Sequence, residues 1–195
     1  MEKLTIAKKE YDIVSILKEG EFSISYKCSH KGKMFFIKVF KDESSFKAEL
    51  LNHKMLKKYG IRVPKLIKVL KNDLTLIYQF IEGENVLEVI AKQELDEIYF
   101  SELFEQYRFA RFSKIELNYL PQNYVLYKNQ LYYLSKEFIP QNKDKNLENY
   151  GICYWFYSEQ LVELLKEQNI PIDKKRLLNK GEVNKKIVLT SIMKW

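Results

Sequence analysis

The stretch of sequence that decides the fold is KMFFIKVF at residues 33–40, followed by SSFKAELLNHKMLKKYG at residues 44–60. The first segment is an apolar, β-prone run after a turn at Gly32, which predicts a strand. In the second segment, apolar residues recur near helical spacing until Gly60, a residue type common just past a helix end. We therefore predict a strand and then a helix over about residues 45–59, with the two serines at its start offering the N-cap.

Four more β-prone runs surround this strand and helix. Two precede them and are joined around Gly20, and two follow Pro64 and flank Asn72 and Asp73, a pair that suits a tight hairpin turn. With the central run they predict five antiparallel strands and one helix in the first part of the chain: Tyr11–Leu17, Phe22–Cys28, Lys33–Phe40, Lys65–Leu70 and Leu74–Phe80.

The periodicity changes at Gly83, which we interpret as a hinge. We therefore expect an α+β fold with two lobes, residues 1–82 and residues 83–195, of which the second is small and mainly helical. Its pattern predicts two helical stretches with a strand-like pair between them: Leu95–Phe112, Tyr124–Tyr127, Leu131–Leu134 and Leu147–Gln168.

Composition excludes several classes of protein. Of 195 residues, 46% are hydrophobic and 30% are charged, which is typical of a globular chain and not of a disordered one. No apolar run approaches the roughly 18 residues that cross a bilayer, and the amino terminus lacks the apolar core of a signal peptide. We therefore expect a cytoplasmic protein with no membrane partner. Cys28 and Cys153 lack the spacing of a zinc or redox site, which predicts free thiols.

Basic residues outnumber acidic ones by 33 to 26, giving a net charge of +7. Much of the excess falls near the carboxyl end, where a solvated helix face is the simplest account of the charges. Contact with RNA phosphates is the alternative account. The residues concerned are Lys174, Lys175, Arg176, Lys185 and Lys186.

The order of elements resembles that of a protein-kinase-like amino-terminal lobe followed by the start of a carboxyl-terminal lobe. Residues 18–27 (KEGEFSISYK) resemble a phosphate-covering loop, and residues 35–38 (FFIK) resemble the strand that supplies the nucleotide-binding lysine. Residues 48–52 and 63–66 resemble the third helix and following strand of small atypical kinases: the RIO group, the kinases of the tRNA-modification complex and the aminoglycoside phosphotransferases. Residues 75–83 (TLIYQFIEG) are similar to their fifth strand and hinge.

This resemblance implies a bilobal protein-kinase-like fold that binds ATP. Lys38 would supply positive charge to the α- and β-phosphates, Glu49 would hold its ammonium, and Gly20 would lie beside the phosphates. Gln79 and Ile81, in the hinge segment, would contact the adenine. The alternative interpretation is a solvated lysine and a separately solvated glutamate.

The same resemblance implies a degraded catalytic loop. Asn123 matches the metal-binding asparagine of the family, but Asn118 stands where the family has its catalytic aspartate. An amide accepts a hydrogen bond but takes up no proton near pH 7. Glu137 stands at the metal-binding aspartate of the Asp-Phe-Gly motif, so Asn123 and Glu137 are the expected Mg²⁺ ligands. Two alternatives stay open: Glu116 as a replacement base, and Glu137 as a plain surface residue.

Two classes of function are compatible with these residues. The first is an ATP-binding, kinase-like protein, either a pseudokinase or a weakly active serine/threonine-type phosphotransferase with a protein substrate. The second is a non-catalytic RNA- or protein-binding module that uses the same fold and the basic carboxyl-terminal segment. Because the usual catalytic aspartate is absent, the sequence does not decide whether the chain is an enzyme.

Overall fold

A computed structural model describes residues 2–92, 95–156 and 158–171. The chain divides into two compact units. The first contains the chain up to Met55 together with Val63–Ile81, and the second contains Leu56–Arg62 and the chain from Glu82 onward. None of the helices within the described ranges has the length and apolarity needed to cross a bilayer.

The first unit is built on a curled antiparallel sheet of six strands. In chain order these are β1 (Lys3–Ile6), β2 (Lys9–Glu19), β3 (Ser23–His30), β4 (Lys33–Phe40), β5 (Leu66–Leu70) and β6 (Thr75–Gln79). Their order across the sheet is β1-β2-β3-β4-β6-β5, and the helix α1 (Glu43–Lys58) follows β4 in the chain.

The predicted fold class, with a five-stranded first lobe, is wrong because β1 adds a sixth strand. This strand has only four residues, and the two that connect it to β2 are Ala7 and Lys8, with φ of 47° and 64°. Hairpin turns with positive φ usually contain Asn or Gly, so the sequence carries no turn signal at this point. The observed fold is mixed α/β, with a six-stranded sheet and four α-helices among the described residues.

Strand β4 contributes to a hydrophobic core on each face of the sheet, because successive side chains of a strand point to opposite faces. On one face Ile37 packs in a core that includes Cys28. On the other face Phe40 packs with Phe46 of α1, their ring centroids 5.7 Å apart. Lys38 is two residues from Phe40 and therefore points to the face that α1 covers.

Helix α1 begins at Glu43, two residues earlier than predicted, because Asp42 and not a serine caps it. The Asp42 Oδ1 atom accepts hydrogen bonds from Ser44 Oγ at 2.5 Å and from the Ser45 backbone N–H at 2.8 Å. These bonds lower the pKa of Asp42 to about 2. The cap sets the start of the helix and therefore the position of Glu49, which is buried.

The second unit combines helices with two small antiparallel sheets, which corrects the expectation of a mainly helical lobe. The elements are α2 (Val86–Lys92), α3 (Glu97–Phe112), β7 (Ile115–Leu117), β8 (Tyr124–Tyr127), β9 (Gln130–Tyr133), β10 (Phe138–Pro140) and α4 (Glu159–Glu167). The sheets pair β7 with β10 and β8 with β9. The predicted helix over Leu95–Phe112 and the predicted strand pair agree with α3 and with the β8–β9 hairpin to within two residues, whereas the three-residue strands β7 and β10 were too short to predict.

Gly83, predicted as a hinge, has a packing role within the second unit. A Cβ atom at this position would lie 2.6 Å from Val125 Cγ1 and would also collide with the Leu126 carbonyl oxygen. Both neighbours belong to β8, and a backbone carbonyl cannot move aside as a flexible side chain can. The close approach of the chain to β8 therefore requires glycine at position 83.

A short 3-10 helix, Gly151–Trp155, packs against the segment between β7 and β8. The Trp155 side chain is fully buried, and its Nε1–H donates a hydrogen bond to the Tyr119 carbonyl oxygen at 2.7 Å. A Cβ at Gly151 would lie 2.5 Å from the Tyr119 Cβ, so the helix backbone also packs closely there. These contacts fix the start of the segment that carries two of the predicted site residues.

Candidate functional site

Lys38 and Glu49 form an ion pair in the first unit. The Lys38 Nζ donates a hydrogen bond to Glu49 Oε2, so β4 supplies the cation and α1 supplies the carboxylate. The Glu49 side chain is 10% exposed and the Lys38 side chain 24% exposed. The structure therefore brings these two predicted residues together, and they are not separately solvated side chains.

Tyr78 of β6 is the third member of this group. Its hydroxyl donates a hydrogen bond to Glu49 Oε1 at 3.1 Å, so each oxygen of the carboxylate has its own donor. Burial, together with the negative charge of Glu49, raises the Tyr78 pKa well above its ordinary value, and the hydroxyl stays a donor. Two donors hold the carboxylate in one orientation, which in turn holds the Lys38 ammonium.

The Lys38 ammonium also lies over an aromatic ring. Its Nζ is 5.1 Å from the centroid of the Phe40 ring, within the range of a cation–π interaction. About a quarter of the side chain is accessible, because its exposure is 24%. The ammonium is therefore oriented by its neighbours while an anionic ligand can still approach it.

Gly20 lies in the connection between β2 and β3. Its N–H donates to the Ser23 carbonyl at 3.0 Å, and its own carbonyl accepts a hydrogen bond from Lys41 Nζ at 3.0 Å. The nearest atom to a Cβ at this position would be the Ser23 carbonyl oxygen at 3.5 Å, an ordinary contact. The conformation of the connection therefore does not require glycine at position 20.

Gln79 and Ile81 lie at and just beyond the end of β6. The Gln79 N–H donates to the Lys65 carbonyl at 2.8 Å, and the Ile81 side chain is buried. In the part of the chain that the structure describes, no hydrogen bond joins either residue, or Gly20, to the ion pair. Their predicted roles beside adenine and phosphate stay predictions.

The three predicted site residues of the second unit belong to one hydrogen-bond network. Asn123 Nδ2 donates to the Asn118 carbonyl at 3.2 Å. The Asn118 N–H donates to Tyr133 Oη at 3.0 Å, and the Tyr133 hydroxyl donates to the Glu137 carbonyl at 2.7 Å. Tyr133 therefore connects the segment after β7 to the segment after β9.

Asn118 occupies an exposed position and has no proton acceptor suited to phosphoryl transfer. Its side-chain oxygen accepts a hydrogen bond from the Leu120 N–H at 3.3 Å, which forms a local turn. The amide is therefore engaged in the shape of the segment, and a general base is absent from this position.

Glu116 does not take over the role of base. Its side chain lies in β7 and is 1% exposed, and its carboxylate accepts a hydrogen bond from the Tyr119 hydroxyl at 3.1 Å. Burial raises the pKa of Glu116, and the hydrogen bond from Tyr119 partly offsets that rise. A carboxylate buried to this extent cannot reach a substrate hydroxyl, so its role is structural.

Asn123 and Glu137 have side-chain oxygens of the kind that Mg²⁺ binds. Because Asn123 Nδ2 donates to the Asn118 carbonyl, its Oδ1 is the atom left for a cation, and Glu137 is exposed. Among the described residues, no group of three or more His, Cys, Asp or Glu side chains is arranged to hold a metal ion. These two side chains alone do not make a metal site built by protein ligands, and their role toward Mg²⁺ stays a prediction.

Three side chains in or beside the ion pair and the hydrogen-bond network of the second unit were not predicted from the sequence. Tyr78 bonds to Glu49, 29 residues away, and Tyr133 accepts a hydrogen bond from Asn118, 15 residues away. The pattern of a strand does not show which partner a tyrosine hydroxyl will meet. Lys136, beside Glu137, is 8% exposed, and its Nζ donates to the Leu134 carbonyl at 2.9 Å. Lysine is rarely buried, so no sequence signal marked it.

Comparison with known proteins adds no assignment: no family model matches the chain, and no curated protein is significantly similar to it. The kinase resemblance therefore stays a prediction that rests on the residues themselves. The five basic residues considered for contact with RNA lie beyond Pro171, outside the described residues.

Proposed function

We propose that the protein binds ATP through the Lys38 ammonium and that its phosphoryl transfer is slow or absent, as in a pseudokinase related to the small atypical kinases. The observation that carries the proposal is the partly buried Lys38–Glu49 ion pair, oriented by Tyr78. Buried lysine–glutamate pairs are uncommon, and this one leaves the ammonium accessible to an anion.

The electrostatics of the pair favour a phosphate ligand. Glu49 neutralises Lys38 in the absence of ligand, which reduces the cost of keeping the ammonium in a partly buried position. At an effective dielectric constant of 20, the ammonium attracts a second anion at about 4 Å by roughly 4 kcal/mol, and repulsion from the Glu49 carboxylate offsets part of this gain. The connection between β2 and β3 resembles a phosphate-covering loop. At Gly20, where the protein does not otherwise need a glycine, its backbone would approach the phosphates closely.

Mg²⁺ and the second unit have supporting roles in this proposal. Asn123 and Glu137 would hold Mg²⁺, which supplies charge neutralisation to phosphates when bound. Asn118 provides no base, so whatever transfer occurs would depend on positioning and electrostatics alone. We further propose a cytoplasmic location and a protein partner or substrate. Both cysteines are free, as is usual in a reducing compartment.

Thermal unfolding with ATP, with and without Mg²⁺, tests the proposal. A ligand at 100 times its Kd stabilises a protein by about 2.7 kcal/mol. For a chain of this size each kcal/mol raises the Tm by about 2–4 °C, so we expect a rise of roughly 5–11 °C. Adenosine, which lacks phosphates, should produce a much smaller rise.

Variants separate binding from folding. Lys38→Ala should lose the ATP-induced rise, while Lys54→Ala, which removes an exposed lysine from α1, should keep it. Gly20→Ala should unfold at the wild-type temperature without ligand and yet respond less to ATP, because its new Cβ would obstruct only the ligand. An absent rise in the wild type, or an equal rise in Lys38→Ala, contradicts the proposal.

A further inference from the structure

Two hairpin tips lie side by side at the end of the sheet opposite Gly20. Ala7 and Lys8 connect β1 to β2, and Lys31 and Gly32 connect β3 to β4. Because β1, β2, β3 and β4 are consecutive neighbours in the sheet, both tips are at the same end of it. Strand β2 separates this end from Gly20 by its full 11 residues, a length of about 35 Å.

This end of the sheet is basic. Five exposed lysines surround it, and the acidic residues beside them are Glu10 and Asp12. Glu10 already forms an ion pair with Lys3, with Nζ and Oε2 2.6 Å apart. A shallow cavity of about 440 Å³ opens between the tips, and four lysines and two carboxylates are among its lining residues: Lys3, Lys8, Lys9, Glu10, Asp12, His30 and Lys31. Among the described residues, the other four lysines, Lys8, Lys9, Lys31 and Lys33, form no ion pair with an acidic side chain.

The backbone of the tips gives no structural reason for lysine. Lys8 and Lys31 have φ of 64° and 50°, in the left-handed region that Gly and Asn adopt most readily. A lysine there costs on the order of 1 kcal/mol relative to glycine. Both strained positions carry a long cationic side chain that reaches the same cavity. Strained backbone conformations cluster at functional sites.

His30 is held at the rim of the cavity and is not a free surface side chain. Its Nδ1 lies 2.7 Å from the Glu10 carbonyl oxygen, and a carbonyl only accepts, so Nδ1 carries the proton. Its ring packs against Tyr11, with the centroids 5.1 Å apart. The imidazole is therefore a positioned polar group beside the exposed lysines.

We propose that this hairpin-tip surface, formed by Lys8, Lys9, His30, Lys31 and Lys33, binds the phosphodiester backbone of a nucleic acid. Strands lie about 4.8 Å apart, so lysines spread over four of them span about 15 Å. A nucleic-acid strand carries one phosphate per roughly 3.4 Å along the helix axis, so several phosphates match this span. The surface is separate from the proposed ATP site and goes beyond the proposed function.

The surface is suited to phosphates and not to a lipid bilayer or to bases. The large exposed apolar side chains of β2 and its following loop, such as Ile16, Leu17 and Phe22, lie toward the Gly20 end. The tips themselves present Ala7 and Gly32, which have no apolar side chain large enough to insert into a membrane. The residues that line the cavity include no exposed aromatic ring for base stacking, so binding should be independent of sequence.

Fluorescence anisotropy of the full chain with labelled 20-nucleotide RNA and DNA tests the proposal. Lys8→Gln with Lys31→Gln should weaken binding by roughly tenfold or more at 100 mM salt, and should lower the slope of log K against log salt by about 1.4 for single strands. RNA and DNA should be affected alike if the backbone is the ligand. The matched control, Lys54→Gln with Lys71→Gln, removes two exposed lysines from elsewhere in the same unit and should bind as the wild type does.

A second variant distinguishes a loss of binding from a loss of folding. Lys8→Asn with Lys31→Asn places a residue suited to positive φ at both tips, so it should be at least as stable as the wild type and should still lose binding. Equal affinity of the tip variants and the control overturns the proposal. The proposal is also overturned if the tip variants lose binding to vesicles containing phosphatidylserine but not to oligonucleotides. Neither outcome bears on ATP binding, which the thermal assay measures separately.

Discussion

Replacing Tyr78 with phenylalanine isolates one hydrogen bond of the proposed ATP site. The substitution removes only the hydroxyl that donates to Glu49 Oε1 at 3.1 Å and keeps the buried ring, so no cavity of methyl size or larger forms. Hydrogen bonds to charged groups contribute about 1.5–3 kcal/mol, because a buried carboxylate oxygen is otherwise left without a donor. We expect Tyr78→Phe to lower the free energy of unfolding by that amount, and the Tm by roughly 3–12 °C.

Urea denaturation followed by circular dichroism measures this change, with Tyr26→Phe as the matched control. Tyr26 is half-buried in β3, which is separated from β6 by β4 in the same sheet, and its hydroxyl makes no hydrogen bond to a described residue. We expect the control to change the unfolding free energy by less than about 0.5 kcal/mol. If Tyr78→Phe is no less stable than Tyr26→Phe, the hydroxyl does not hold the Glu49 carboxylate, and the argument for an oriented Lys38 fails.

Three further predictions concern other parts of the molecule. Gly83→Ala should lower the free energy of unfolding, measured by urea denaturation, by about 2 kcal/mol or more, because its Cβ would collide with the Leu126 carbonyl. Gly20→Ala should unfold at the same urea concentration as the wild type. Burial raises the pKa of Glu116, so the folded state holds its proton more tightly and stability falls as the pH rises above about 4.5; Glu116→Gln should flatten that slope in denaturation measured between pH 4 and pH 8. Asn118→Asp restores a carboxylate at an exposed position and should raise phosphate release from ATP by tenfold or more if a base is the missing part, and an unchanged rate would show that the defect lies elsewhere.

Local patterns predicted the central strand and helix of the first unit, and the family resemblance predicted the ion pair between them. The alternation in residues 33–40 placed β4, and the helical spacing that follows placed α1 to within two residues. The meeting of Lys38 and Glu49 came from the order of elements that the resemblance implied, since neither side chain is unusual by itself. The start of α1 was displaced because Asp42 competes with the serines as a cap, and a sequence cannot show which of three adjacent acceptors will bond.

The parts that escaped prediction depend on backbone conformation or on tertiary contacts. Strand β1 ends in a turn whose residues, Ala7 and Lys8, are not turn formers, so only the pairing with β2 reveals it. The link through Tyr133 joins segments after β7 and β9, which no local pattern connects. The packing of Gly83 against β8 likewise requires the three-dimensional arrangement, because a glycine between two elements is equally typical of a hinge.

Because Cys28 is buried, its reaction with a thiol reagent can measure local opening of the sheet. Burial, with a smaller effect from the charge of Asp12, raises the Cys28 pKa to about 11, while Cys153 is only partly buried. Alkylating reagents attack an accessible thiolate, so at neutral pH they should modify the partly exposed Cys153 first and Cys28 only slowly. Once Cys153 is replaced by serine, the slow modification of Cys28 would measure how often β3 separates from its neighbours in the intact protein. A single thiol then follows the opening of the sheet, and ATP or an oligonucleotide that binds the sheet should slow its modification.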